Sequence, residues 1–193
     1  MDPWMITQQP SIGGVVQHPL VVDFIQQFKA AVRGAHNEHA WTLLADGEVL
    51  RRRGDREGVA VPEVPEDTLA VVDIHNHPNA TGRRNSMLHL SDLGACFNSG
   101  RRLFSTALVL VQTNEGIDYV TGARFSRETI NSFMHGDRAA LEVFTATLAK
   151  IHRDERAGHT FARRVSETRS IQEMQRLYEE TLPMMEFIVV LPE

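Results

Sequence analysis

The stretch LAVVDIHNHP, residues 69–78, decides the reading of this chain. From Leu69 to Ile74 only Asp73 interrupts an apolar run, and Val71, Val72 and Ile74 are β-branched. A run of that length and continuity predicts a strand buried on both faces. The strand delivers His75 and His77, two positions apart, so both imidazoles leave on one face while Asn76 points to the other. Pro78 has no N–H for a sheet ladder and stops the strand. Two imidazoles on a rigid strand end are two legs of a metal site, but a hydrolytic site also needs a third protein ligand, an open position for water and a nearby base.

Downstream, the segment Ser86-Met87-Leu88-His89-Leu90-Ser91-Asp92-Leu93 holds the candidates for the third ligand. Asp92 to Gly100 reads as a short helix closed by glycine, in which Asp92 is equally an N-cap. Thr106 to Gln112 reads as a second buried strand, turned by Asn114-Glu115-Gly116 into Ile117 to Val120. Upstream, the pair Asp46-Gly47 between the apolar runs Trp41–Leu44 and Val49–Leu50 predicts a hairpin, because glycine accepts the positive φ that the turn needs. Glu38 then stands at the head of the first hairpin strand, the natural candidate for the base, and Val59 to Val61 adds a short strand. Val21, Phe24, Ile25, Phe28 and Val32 share one helical face over Val21–Arg33, ended by Gly34. Asp137–Arg156 and Arg163–Thr181 read as further helices, and FIVVL, residues 187–191, as a terminal strand or a docking segment.

The order of elements predicts an α/β (α+β) fold, a mixed sheet flanked by helices with a helical C-terminal extension. Residues 1–19, with Pro3, Pro10, Pro19 and Gly13-Gly14, read as an extended leader. Residues 20–135 read as the catalytic domain, and 136–193 as the extension with its terminal apolar segment, a surface for a protein partner or self-association. A length of 193 residues suits about one domain. A composition 42% hydrophobic and 23% charged excludes wholesale disorder. No run of 18 apolar residues exists to span a membrane, and the start lacks the basic end and apolar run of a signal peptide, so a cytoplasmic setting is expected. Cys96 is the lone cysteine, which rules out an internal disulfide and a thiolate zinc site and leaves histidine and carboxylate to hold any metal. A formal charge of −5 argues against nucleic acid as a partner, and the runs Arg51-Arg52-Arg53, Arg83-Arg84 and Arg101-Arg102 read as solvated edges.

A glutamate at the head of a strand, an apolar strand ending in His75-Asn76-His77-Pro78, and a Ser/Asp pair opening a helix together resemble the JAMM (JAB/MPN) metallopeptidase family, in particular its prokaryotic HNHP-type members such as RadC-like and phage-associated JAB-like domains. The likeness spans about Val21 to Val120. It implies Zn2+ held by His75, His77 and Asp92, Glu38 as acid/base, and Ser91 on the oxyanion side. It further implies an amide or isopeptide bond at the end of a ubiquitin-like protein as substrate. The step from His77 to Asp92 is longer than the family's usual spacing, and His89, not serine, stands three before Asp92. A second register therefore puts Ser86 in the serine place and His89 in the ligand place. The Asp92 register keeps the following helix whole, and the oxyanion-side residue stays open between Ser91, Ser86 and none.

An amidohydrolase, whose first strand carries a similar pattern, needs a barrel of about 250 residues, more than this chain has. HExxH, GxSxG, P-loop and GxGxxG patterns are absent. A RadC-like or phage-associated domain with a different substrate and a non-catalytic MPN-type scaffold remain as alternatives, the scaffold weakened by the presence of Glu38 with both histidines.

Overall fold

Along the strand Arg102–Asn114, successive residues bury into different layers: Ala107, Val109 and Val111 on one side, Leu108 and Leu110 on the other. A strand apolar on both faces has to be covered twice, and the chain supplies helices to both sides. The computed structural model describes residues 2–56, 58–78, 92–93, 102–114, 117–153, 163–165, 167–168 and 170–190. Within them the strands are β1 His39–Leu44, β2 Val49–Arg53, β3 Ala70–Asn76, β4 Arg102–Asn114, β5 Ile117–Phe125 and β6 Met185–Val190. They form one sheet in the order β2-β1-β3-β4-β5-β6. Only β3 and β4 run parallel; the other neighbours are antiparallel. This is the mixed sheet flanked by helices that the order of elements predicts.

The first layer comprises α1 Trp4–Thr7, α2 Ile12–Val16 and α3 Pro19–Val32. Phe24 and Phe28 of α3 close on Trp41 of β1, with ring centroids 6.2 and 5.3 Å away. Each such buried aromatic contributes about 1.5–3 kcal/mol. Gly34, at φ 72°, ends the run as expected. The second layer comprises α4 Arg127–Met134, α5 Ala139–Arg153 and α6 Ile171–Thr181. Phe125 meets Phe133 and Phe144 edge-on at 5.4 and 5.0 Å. Helix α4 is not among the expected elements; Ser126 caps it, accepting the Thr129 N–H at 3.2 Å. No helix among the described residues is long and apolar enough to cross a membrane.

Three expectations need correction. Residues 1–19 do not form an extended leader: α1 and α2 lie there, and Ile6, Ile12, Val15 and Val16 are buried in the core. The prolines start helices instead of preventing them, Pro19 occupying the first turn of α3, where the missing N–H costs nothing. Glycine permits the docking: a Cβ at Gly122 of β5 would stand only 3.2 Å from Val16 and 3.3 Å from Ile12. The fully buried guanidinium of Arg124 donates to the Gln9 carbonyl at 3.0 Å and pairs with Glu186 at 3.4 Å, while Arg127 donates to the carbonyls of Thr7 and Gln8. Secondly, residues 59–61 form no strand; the Val59 backbone amide goes to the Glu38 carboxylate and not to a neighbouring strand. Thirdly, the helix expected over Arg163–Thr181 is not continuous, since Thr168 is not helical and α6 starts at Ile171, capped by Ser170.

The Asp46-Gly47 hairpin forms as predicted, with Gly47 at φ 92°. It places Arg51, Arg52 and Arg53 exposed on an edge strand, where charge discourages pairing with another chain. Of the two readings of the terminal apolar segment, the structure adopts the strand: β6 pairs with β5 from Met185 to Val190. The Gln175 side chain of α6 donates to the Phe187 carbonyl at 2.7 Å, and Met184, Met185 and Phe187 are buried. Deleting residues 184–193 should therefore remove a core strand and bare the edge of β5. The expected result is an aggregating protein without a cooperative thermal transition; a monodisperse product with unchanged melting would refute this.

Candidate metal centre

His75 and His77 are brought out at the carboxyl end of β3, next to the carboxyl end of its parallel neighbour β4. His75 pairs in register with Ala40 of β1 and Leu110 of β4 and so faces the second helical layer. Parallel strands need a long crossover, and Asp92 lies within the one that joins β3 to β4. Leu93, fully buried in the cluster that also contains Met174, Leu177 and Tyr178 of α6, anchors the helical turn on which Asp92 stands. Core packing of an apolar neighbour thus sets a polar side chain over the strand end.

The three donor groups converge. His75 Nε2 and His77 Nε2 are 3.1 Å apart, and Asp92 Oδ2 lies 3.5 Å from the first and 3.8 Å from the second. Around a tetrahedral ion with bonds of roughly 2.0–2.1 Å, ligand atoms stand about 3.3 Å from one another. The observed triangle has nearly that edge. Two imidazoles with one carboxylate are a donor set suited to a divalent first-row metal, and three ligands leave a position open. His77 is buried and His75 and Asp92 are partly so, which limits competition from water. The group could hold a metal ion.

Charges tie Glu38 to this group. Its half-buried carboxyl is pushed up from the ordinary value chiefly by burial, with the negative charges of Asp92 and Asp55 adding to the shift. The charge of His75 and the Val59 N–H act in the opposite sense. Backbone hydrogen bonds fold the loop of residues 54–59 onto Glu38: its N–H donates to the Asp55 carbonyl at 2.7 Å and its carbonyl accepts from the Gly54 N–H at 2.8 Å. Gly54 is needed there because any Cβ would collide with the Gly58 carbonyl. Burial pushes the His75 imidazole down, but the Asp92 hydrogen bond and the charges of Asp92, Glu38 and Asp73 together outweigh it, so the net shift is upward. The imidazole of His39, the neighbour of Glu38, is held below its ordinary value by burial and by the charge of Arg53.

Asn76, between the two histidines, has a task that spacing alone does not reveal. Its Oδ1 accepts the His39 N–H at 2.7 Å and its Nδ2 donates to the Asn37 carbonyl at 3.5 Å, so one buried side chain holds the residues on both sides of Glu38. Replacing Asn76 with alanine should strand the His39 N–H and cost about 1–3 kcal/mol in urea unfolding. Faster hydrogen exchange at His39 with unchanged metal content is the expected signature; unaltered exchange would refute the role.

Other contributors were equally invisible in the linear pattern. Asp73 accepts the Thr42 hydroxyl at 2.6 Å in the buried layer beneath His75. Tyr178 of α6 is pushed well up by burial, with a further contribution from the Asp92 charge. Ser91, Ser86 and His89 lie outside the described residues, as does the rest of the expected helix beyond Leu93. Comparison with protein-family models, curated proteins and solved structures found no match to this chain.

Proposed function

We propose that the chain is a zinc-dependent hydrolase of the JAMM (JAB/MPN) type that cleaves amide or isopeptide bonds of a ubiquitin-like protein in a reducing compartment such as the cytoplasm. The observation that carries this reading is the near-tetrahedral triangle of His75, His77 and Asp92 with Glu38 in electrostatic contact. A zinc ion held there would supply Lewis acidity to an attacking water and to the scissile carbonyl. Glu38, fixed by Asn76 and the loop after β2, would take the proton of that water and return it to the leaving amine. Its upward-shifted carboxyl suits both tasks, since a group poised nearer neutrality can accept and donate. Ser91 is the residue proposed to face the carbonyl oxygen. The burial of His77 and the crossover position of Asp92 support a dedicated site over two chance surface histidines.

The test is metal analysis of the purified full chain together with cleavage of a panel of ubiquitin-like fusions. One equivalent of zinc and cleavage abolished by a chelator and restored by zinc are expected. A protein that takes up no zinc, or a fully zinc-loaded protein that cleaves no member of the panel, argues for the scaffold reading instead.

A further inference from the structure

A cavity of about 520 Å3 opens on the α3 side of the strand ends that carry the metal group. Its floor is Asn76 and Val111, register partners on the parallel pair β3 and β4. Its walls include Lys29 and Arg33 from the end of α3 and His36 from the turn that follows, and His77 belongs both to the cavity and to the metal group. No aspartate or glutamate lines it among the described residues, although acids outnumber bases, 25 to 20, in the chain as a whole. The carbonyl end of α3 contributes a partial charge of about −0.5, smaller than the two full positive charges beside it. A concave, cation-walled space focuses positive potential, and its volume falls within the roughly 300–1,000 Å3 of ordinary ligand pockets.

We propose that this cavity receives an acidic side chain of a peptide substrate, close to the bond presented to the metal group. The proposal rests on the hydrolase reading for its choice of a peptide, and on the cavity alone for its choice of charge. Two cationic side chains lining one open concavity suit one carboxylate; a nucleic-acid track needs a longer run of phosphate contacts. The position of His77 on both sites means that a chain lying across the ends of β3 and β4 reaches from one to the other.

The experiment titrates the full-length protein with the blocked peptide Ac-Gly-Gly-Glu-Gly-Gly-NH2 and with its glutamine counterpart, following the backbone amide signals of Gly34, Ala35 and His36 by NMR. Saturable shifts at these amides are expected, with the glutamate peptide binding at least about fivefold more tightly, the scale of one partly exposed ion pair. Arg33→Gln, an exposed substitution, should erase that difference, and added salt should shrink it. A peptide ending in a free carboxylate but lacking glutamate tests whether the pocket reads a chain terminus; if it alone binds, the side-chain proposal is overturned. Equal binding of the glutamate and glutamine peptides, a preference that survives Arg33→Gln, or inorganic phosphate shifting these amides while the glutamate peptide does not, would each overturn it as well. Binding is read without turnover, so charge-selective binding by a protein that cleaves nothing upholds the pocket and removes the hydrolase. Cleavage without any acidic preference does the reverse.

Discussion

Glu38→Gln should keep one equivalent of zinc and near-native stability while losing turnover by about a hundredfold or more, the range that general acid/base catalysis supplies. Glutamine matches the shape of glutamate and can still accept the Val59 N–H, so the loop of residues 54–59 has no reason to move. It cannot take a proton from water or return one to an amine. On the proposed mechanism Glu38 must be ionised to begin the reaction, so activity should fall as pH drops through the Glu38 titration, and that acid limb should vanish from the residual activity of the variant. Removing a half-buried charge whose ionised form burial opposes also relieves a local cost, so the thermal midpoint should hold or rise. Metal loss on substitution would make Glu38 a ligand; unchanged turnover would move the base elsewhere, with His39 and His89 next in line.

Asp92→Ala should empty the metal site. Even second-sphere partners are worth roughly 10- to 100-fold in metal affinity, and a direct ligand exceeds that. Equilibrium dialysis against zinc should therefore show at least about a hundredfold weaker binding, with no activity at limiting zinc. If His89→Ala instead empties the site and Asp92→Ala leaves it full, the alternative register holds the third ligand. A metal-free measurement separates position from coordination. Burial opposes the charged form of His75 and Asp92 is the main group that favours it, so the variant should move the His75 titration, followed by NMR, to lower pH. A folded-state value above the unfolded one stabilises the metal-free protein fully below the unfolded value of about 6.5 and no longer does so once pH has risen through the folded value. The stability gap between native and variant metal-free proteins attributable to His75 should accordingly close as pH is raised through the His75 titration.

Zinc uptake itself should weaken as pH falls, because an imidazole must shed its proton before it can coordinate. The same upward shift of His75 that stabilises the metal-free protein thus opposes loading in acid.

What the sequence by itself determined are the features whose causes are local. The apolar run ahead of His75 makes a strand that delivers His75 to its end, with His77 just beyond it, Asp46-Gly47 turns the hairpin, and the spacing of Val21, Phe24, Ile25 and Phe28 makes α3. Those rest on neighbouring residues and the pitch of the backbone, and they appear where expected. Residues 1–19 went the other way, because prolines and glycines look alike in a loose leader and in short packed helices; burial against Gly122 and the carbonyl contacts of Arg124 and Arg127, more than a hundred positions away, decide between them. The meeting of Asp92 with the two histidines likewise depends on the parallel pairing of β3 with β4, which puts Asp92 in the connection between them, and on Leu93 finding the core. Asn76 bracing Glu38, Val59 reaching its carboxylate, and Lys29, Arg33 and His77 lining one cavity all bring together segments far apart in sequence. Hydrophobic periodicity carries no record of such contacts, since it reports which face of an element is buried and says nothing of what it is buried against.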